Sequence, residues 1–467
     1  MLCNRGGYKM FQLDFSKPQH VHFIGIGGIS MSGLAELLLS RGFNVSGSDG
    51  SASGLTAHLE KLGARISIGQ SASNIEDGTD AVVYTAAIHP DNPEYAECVR
   101  RGLPLISRAT LLGQVMKLYE LPIAVAGTHG KTTTTSMISE ILLNCDTDPT
   151  ISVGGILSSI GGNFRVGGDK FFVAEACEYT NSYLEFFPKV SVILNVEEDH
   201  LDFFKDLADI RRSFRAFAEL LPADGTLIIN NDIENVNELT DGLKCRVISF
   251  GHDAAADYHA EDIGYEASGH PHYSLCHGNE KYKVDLGVVG EHNIYNSLAA
   301  IAVSDLFGLD REKTLDALKR FTGTGRRFEI KGRIGDISII DDYAHHPSEI
   351  AATLKAMEKY PHEKLWCVFQ PHTYTRTKAF LHEFADALKT ADTVLLADIY
   401  AARETDDLGV SSKNIADLIN ASGGNALYFS YFDDIENYLL RNAGAGDVIL
   451  TMGAGDVYKI GDHLLGK

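Results

Sequence analysis

The stretch PIAVAGTHGKTTTTSMI, residues 122–138, can fold in few ways. An apolar run of strand type ends at Gly127, a short loop holds Gly130 and Lys131, and a threonine-rich segment of helical type follows. In that setting glycines let backbone N–H groups converge on phosphate, the Lys131 ammonium reaches the terminal phosphates, and the Thr132 hydroxyl suits Mg²⁺. Gly127, Thr128, His129, Gly130, Lys131, Thr132 and Thr133 are therefore the candidate nucleotide-binding residues. Val125 stands where the longer P-loop consensus has its first glycine, so this loop is a shortened form. The plainer reading is a Gly-rich strand–helix turn with a surface lysine. It requires strand, Gly-Lys-Thr and helix to coincide without a reason.

The rest of the chain bounds what such a loop can serve. With 467 residues, two or three domains are expected. No apolar run is long enough to span a bilayer, and the first nineteen residues lack the apolar stretch of a signal peptide. The expectation is a cytoplasmic protein without membrane insertion. The seven cysteines are scattered and form no CxxC pair, which argues for reduced thiols. The formal charge of −22 disfavours nucleic acid as a partner. It does not forbid small anions, because a local cluster of N–H groups, Lys and Mg²⁺ can hold phosphate against an unfavourable overall field.

Short β-like and helix-like segments alternate along the chain. HVHFIGIGG reads as a strand running into a Gly turn, SMSGLAELLLSRG as a helix closed by Gly42, and NVSGSD as a strand ending in Asp49. This is the alternation of a Rossmann-like parallel sheet. A second unit begins near Leu121, and a third near Arg333, where GDISIIDDYA, KLWCVFQPH, DTVLLADIY and GDVILTMGAG read as strands. The expected class is α/β in three domains: a Rossmann-like domain over 1–120, a central P-loop domain with a mixed sheet over 121–327, and a Rossmann-like C-terminal domain over 328–467. The first Gly-rich turn, residues 25–33, suits a pyrophosphate at a helix N-terminus, and Asp49 stands where a ribose-binding acid would. Alone, these features suggest a nicotinamide dehydrogenase. Ser30, however, replaces the third glycine of GxGxxG, and a dehydrogenase has no use for the P-loop that follows.

With both loops in hand, the chain resembles the Mur ligase family over nearly its whole length. The landmarks are GIGGISMSG (25–33), TAAIHPDNPE (85–94), GTHGKTTT (127–134), EACEYTNSYL (175–184), NVEEDHLDFF (195–204), GEHNIYNSLAA (290–300), GRRFE (325–329), DDYAHHPSE (341–349) and FQPHTYTRT (369–377). DDYAHHP and FQPHTYTRT resemble the branch that adds L-alanine to UDP-N-acetylmuramate. The resemblance implies an ATP- and Mg²⁺-dependent ligase that forms an acyl phosphate, with UDP-sugar, ATPase and amino-acid domains in that order.

It also implies site residues. Gly25, Gly27, Gly28, Ser30, Met31, Ser32, Gly33, Asp49, Thr85, Ala86 and Ala87 would hold the UDP-sugar. Lys131 would reach the β- and γ-phosphates. Thr132 and Glu175 would hold one Mg²⁺, although on its own Glu175 reads as an ordinary strand-end carboxylate. His200 would serve a second Mg²⁺, which is unusual for a nitrogen donor on a hard cation. His292, Asn293 and Asn296 match an adenine-contacting helix or, read plainly, a polar N-cap. Arg326 and Arg327 lie at a Gly-rich hinge where a guanidinium suits phosphate. Asp342 would hold the ATP ribose, with Tyr343, His345 and His346 on the same turn. His372 and Arg376 are candidates for the alanine carboxylate or the muramyl end, and Lys131, His200 and Arg376 for catalysis. Several related ligases carry a carbamylated lysine on the helix after this histidine. Residues 206–221 contain no lysine, which leaves Arg211, Arg212 or Arg215 to supply charge instead. Cys177 stands where many relatives have Asp, and a thiol does not replace that carboxylate on Mg²⁺. Arg403 stands where relatives often have Gly. The same fold could take a tripeptide in place of alanine, or act as a nucleotide switch without turnover.

Overall fold

Parallel pairing dominates all three sheets of the computed structural model, which describes residues 11–467 apart from Pro18, Ala86 and Arg403. The expectations for Ala86 and Arg403 thus lie outside the described residues. The first sheet holds β1 (His20–Ile24), β2 (Asn44–Asp49), β3 (Arg65–Ile68), β4 (Ala81–Tyr84) and β5 (Leu105–Ser107), in the order β3-β2-β1-β4-β5. All its pairs are parallel. Helices α1 (Ile29–Ser40), α2 (Gly54–Lys61) and α3 (Pro93–Arg101) make crossovers, and α4 (Arg108–Met116) leads on to the central sheet. The strand β1 is buried along its whole length, as a strand covered on both faces must be.

The central sheet has ten strands in the order β15-β14-β13-β12-β11-β10-β6-β9-β7-β8. They are β6 (Leu121–Ala126), β7 (Thr150–Leu157), β8 (Gly162–Arg165), β9 (Phe171–Glu175), β10 (Val190–Ile193), β11 (Thr226–Asn230), β12 (Arg246–Gly251), β13 (Tyr258–Tyr265), β14 (Pro271–His277) and β15 (Glu280–Asp285). The sheet is mixed: β7–β8, β13–β14 and β14–β15 are antiparallel, while β9-β6-β10-β11 is a parallel core. Its helices are α5 (Lys131–Asn144), α6 (Leu207–Ala218), α7 (Asn237–Thr240), α8 (His292–Leu306) and α9 (Arg311–Arg320).

The third sheet has the order β16-β17-β21-β18-β19-β20, from β16 (Glu329–Ile334), β17 (Ile337–Asp342), β18 (Leu365–Phe369), β19 (Thr393–Leu396), β20 (Ala426–Tyr428) and β21 (Val448–Met452). Only β16 is antiparallel, so this unit starts one strand earlier than the apolar patterning suggests. Around it lie α10 (Pro347–Met357), α11 (Tyr374–Ala379), α12 (Leu381–Leu388), α13 (Ser412–Ala421), α14 (Phe432–Asn442) and α15 (Tyr458–Leu464).

The first and central sheets share an apolar cluster in which Leu111, Met116 and Tyr119 pack with Phe172, Tyr183 and Phe186. The α4 helix thereby carries the first sheet onto the second. Among the described residues no helix is long and apolar enough to cross a membrane.

Candidate active site

In open α/β sheets ligands bind beyond the carboxyl ends of the strands. Here those ends present the 25–30 turn after β1, the P-loop after β6, Glu175 at the end of β9, and Asp342 at the end of β17. The P-loop needs its glycines. Gly127 has φ +148° and Gly130 φ +81°, and a Cβ on Gly130 would lie 2.7 Å from Asn296 Oδ1. Lys131 then opens α5 with its ammonium folded back into the loop. It donates to the carbonyls of Gly127 (2.5 Å) and Thr128 (2.9 Å) and to both carboxylate oxygens of Glu178 (3.0 and 2.9 Å). Burial opposes the charge on Lys131, but the Glu178 carboxylate outweighs it and raises the pKa. Glu178, 2 % exposed, is a partner that the sequence reading passed over, since Glu175 was the one carboxylate of that segment singled out.

Thr132 Oγ1 donates to Glu175 Oε2 at 2.9 Å, and the Gly154 N–H donates to the same oxygen at 2.8 Å. Two hard oxygens at that separation match one edge of an octahedron with metal–oxygen bonds of about 2.1 Å, so these residues fit Mg²⁺. Burial pushes the Cys177 thiol up to about 11, so the free chain carries it as a neutral thiol.

His129 fastens the loop to the third domain. Its Nδ1 lies 3.3 Å from Glu349 Oε1, and its Nε2 lies 3.3 Å from Glu197 Oε2 and 2.8 Å from Ser348 Oγ. Burial works against its charge, yet Glu197 and Glu349 lift its pKa to about 9. Glu349 also meets Arg327 Nη1 at 3.7 Å and His345 Nδ1 at 3.2 Å, and His345 and His129 hold its carboxyl well below the usual range against burial. Neither Glu197 nor Glu349 was singled out from the sequence. Arg326 and Arg327, adjacent in the chain, part company. Arg326 is locked into the third domain by Asp341 (2.9 Å) and the carbonyls of Gly453 and Gly455, while Arg327 turns toward the nucleotide loop. Asp342 accepts the N–H groups of Phe328 (2.8 Å) and Ala344 (2.7 Å), and burial pushes its pKa up to about 6.

Beyond Lys131, His200 sits in the left-handed region (φ +53°) with Nε2 3.7 Å from Glu178 and 3.8 Å from Asp199. Burial lowers its pKa and so favours the neutral ring. Asp199 accepts from Arg376 Nη2 at 2.9 Å, and Arg376 Nη1 approaches His372 Nδ1 at 3.4 Å. The His372 ring stacks on Tyr400 and meets His345 edge-on; Tyr343 lies under Arg327. The third domain's candidates therefore converge on the P-loop rather than forming a separate patch.

Three groups of candidates behave otherwise. Of the first turn, Gly25, Gly27, Gly28 and Ser30 line the loop, with Thr85 and Ala87 after β4. Met31, Ser32 and Gly33 instead lie buried in α1, and a Cβ on Gly33 would meet Phe164 of the central domain at 2.3 Å. At Gly33 the contact is packing between domains, because a helix can press that closely only at a bare α-carbon. Asp49 Oδ2 accepts the Gly27 N–H at 2.9 Å, so this acid holds the turn together. Next, α8 has no side-chain cap: Asn293 donates to Val289 O (2.7 Å) and Asn296 to Asn293 Oδ1 (2.9 Å), both buried behind the P-loop, while His292 alone is exposed. The N-cap reading of the asparagines is thus corrected. Finally, Arg211, Arg212 and Arg215 pair with Glu238, Asp209 and Glu219 along α6, which offsets their charge locally. The helix turns Ser213 inward, onto Tyr183 and Asn181.

Among the described residues two further groups bring metal-ligating side chains within 4.8 Å of one another: His129, Glu197 and His346, and His259, Glu261 and Cys276. Protein atoms already bridge both. Ser348 Oγ lies 2.8 Å from His129 Nε2 and 2.7 Å from His346 Nδ1, and the Lys281 ammonium takes Glu261 at 3.0 Å.

Comparison with known proteins bears directly on this arrangement. Family models match in chain order: "Mur ligase family, catalytic domain" over residues 20–120, "Mur ligase middle domain" over 125–304, and "Mur ligase, glutamate ligase domain" over 326–455. The UDP-N-acetylmuramate–L-alanine ligase of Lachnospira eligens is 58% identical over 458 residues, 98% of this chain and 100% of that protein. The enzyme of the same name from Acetivibrio thermocellus is 50% identical over 455 residues, 97% of each chain. A crystal structure of UDP-N-acetylmuramate-alanine ligase from Thermotoga maritima superposes with a TM-score of 0.80 at 31% identity, covering 96% of this chain and 98% of that one. A murein peptide ligase from Psychrobacter arcticus gives 0.70 at 27% identity, covering 96% and 98%.

Proposed function

The chain belongs to the Mur ligase family, and on that premise we propose that it joins L-alanine to the lactyl carboxylate of UDP-N-acetylmuramate, converting ATP to ADP and phosphate in peptidoglycan synthesis. The observation that carries the reading is the P-loop itself. Lys131, the Thr132–Glu175 pair and the His129–Glu349 link meet at one point, at the mouth of the central sheet.

A carboxylate oxygen is a poor leaving group, so amide formation needs prior activation. The lactyl oxygen attacks the γ-phosphorus, the bond to the β-phosphate oxygen breaks, and its electron pair departs with ADP. The alanine nitrogen then attacks the acyl carbon, inorganic phosphate leaves, and the amine sheds its protons. Little covalent chemistry falls to the protein, whose task is positioning and neutralising charge as it moves. Lys131 is held in reserve by Glu178 and turns from that carboxylate to the β- and γ-phosphates. Thr132 and Glu175 would hold Mg²⁺, which when bound screens the phosphate oxygens. His200 stands where a second ion would, with Glu178 and Asp199 as its acidic neighbours. Arg376, oriented by Asp199, offers its remaining N–H groups to the alanine carboxylate. Arg327 and Asp342 take the nucleotide from the third domain, and His292 takes the adenine. The 25–30 turn, with Thr85 and Ala87, receives the UDP-sugar. The domains that do this work run over 1–120, 121–327 and 328–467. ATP and UDP-sugars belong to the cytoplasm, and the reading puts the chain there.

The test is incubation with ATP, Mg²⁺, UDP-N-acetylmuramate and one amino acid at a time, scored by product mass. Alanine should give the alanyl product with stoichiometric ADP. Product from the tripeptide but not from alanine would make this a peptide-recycling ligase instead.

A further inference from the structure

Arg108 is a half-buried cation without a counter-ion. It opens α4 directly after β5, at the carboxyl end of an edge strand of the first sheet. Among the described residues its guanidinium has no hydrogen bond, ion pair or ring contact. The other described arginines in that condition, Arg246 and Arg441, are exposed to water. Arg108 is half-buried, and burial depresses its pKa. Of the carboxylates, Glu175 is the one whose field reaches it. It makes no ion pair with the guanidinium and is already taken by Thr132 and the Gly154 N–H.

No structural role accounts for this placement. With no acceptor among the described residues, the half-buried guanidinium keeps its nitrogens open to solvent, where an incoming anion can meet them. In the first turn of a helix it also faces the positive end of the helix dipole, the wrong end for a cation. The helix itself is fixed firmly. Ser107 caps it, accepting the Thr110 N–H at 3.0 Å, and a Cβ on Gly113 would come within 2.0 Å of the Glu185 carbonyl of the central domain. Arg108 is therefore held by the first domain, at the start of a helix packed against the central domain and within the field of Glu175. It stands between the sheet that takes the UDP-sugar and the carboxylate fitted to Mg²⁺.

An anion that spans those two domains is the missing partner. We propose that Arg108 binds the sugar-borne carboxylate of the substrate and keeps hold of it while that oxygen takes the γ-phosphoryl group. The assignment rests on the ligase reading above. A guanidinium remains protonated throughout, so Arg108 moves no proton. It donates N–H groups to the carboxylate in the ground state and to the acyl phosphate formed from it, where two neighbouring anions otherwise repel.

Calorimetry with two UDP-sugars tests this. UDP-N-acetylglucosamine has the same nucleotide and ring but no lactyl carboxylate. Arg108→Met should weaken UDP-N-acetylmuramate binding about 30-fold, the range of a charge-assisted pair. It should leave UDP-N-acetylglucosamine binding within about twofold of the unsubstituted chain, and Arg108→Lys should recover roughly a third or more of the lost affinity. Turnover of Arg108→Met should fall about 100-fold at saturating sugar. Equal weakening of both sugars would overturn the proposal, since it would put Arg108 on the diphosphate or in a structural role. So would unchanged binding of both. The ligase reading fails separately, if the unsubstituted chain forms no alanyl product, and the binding comparison stands apart from that result.

Discussion

Two Gly-rich strand–helix turns open the first and central sheets, and their electrostatics differ. In the turn at 25–30 there is no lysine or arginine, and the nearest acid, Asp49, faces inward to accept the Gly27 N–H. In the P-loop a buried ammonium is matched by a buried carboxylate, and a histidine ties the loop to another domain. Both turns offer backbone N–H groups at a helix start. Only the second adds charges that can change partners. A glycine turn is a scaffold for holding phosphate, whereas transferring a phosphoryl group needs movable charge as well. The two turns should therefore fail differently when altered.

The largest expected difference comes from Lys131→Ala. Turnover should drop by about 10³-fold, because the lost ammonium acts on phosphate charge in the transition state. UDP-N-acetylmuramate affinity should change by less than about twofold, since that sugar belongs to the other turn. Removing Lys131 alone leaves Glu178 buried and unpaired, which is destabilising. The pair Lys131→Ala with Glu178→Gln keeps the buried charge balanced and should show the same loss of turnover at a higher melting temperature. Equal loss of sugar binding in both variants would mean that the turns are not separate sites.

The contrast also explains how much the sequence revealed. The P-loop was readable because phosphate binding uses consecutive N–H groups, so its signature is local. The α/β alternation was readable from apolar runs such as β1 and β21, buried throughout. Charge partners were not. Glu178 lies 47 residues from Lys131, and Glu349 lies 220 residues from His129; no spacing rule connects them before the domains are packed. Burial misled as well. Met31, Ser32 and Gly33 continue a phosphate-like motif but turn into the core, and the three arginines of α6 look available until their acidic neighbours are seen. Arg108 drew no notice because RATLL reads as an ordinary helix start.

A middle-sized effect should appear with pH, and only at the P-loop. His129 titrates at about 9 in the folded chain against a usual value near 6.5. A raised folded pKa means that its stabilisation is complete below about pH 6.5 and disappears as pH rises through about 9. The stake is at most about 3 kcal/mol. The unsubstituted chain should lose melting temperature between pH 6.5 and 9.5 more steeply than His129→Gln does. Glu197, Glu349, Ser348 and His346 are the groups facing the ring, and the glutamates stay ionised across that window. Parallel melting curves for the two proteins would show that the ring carries no extra proton. The first turn has no such residue, so substitutions there should leave the slope unchanged.

The smallest effect separates two roles for Asp49. If its carboxylate only orders the turn, Asp49→Asn keeps an acceptor for the Gly27 N–H, and the geometry survives. Removing a negative charge beside an incoming pyrophosphate should then tighten UDP-sugar binding by about two- to threefold, a gain of roughly 0.5 kcal/mol at high effective dielectric. Asp49→Ala, which frees the N–H and loosens the turn, should instead weaken binding by about three- to tenfold. If Asp49 grips a ribose hydroxyl, as its place at the end of β2 suggests in a dinucleotide fold, both substitutions should weaken binding, and Asn should lose most of what Ala loses. The sign of the Asn effect in calorimetry decides between them. A tightening would make the first turn a neutral cradle whose acid is internal to it, and would leave movable charge as the property of the P-loop alone.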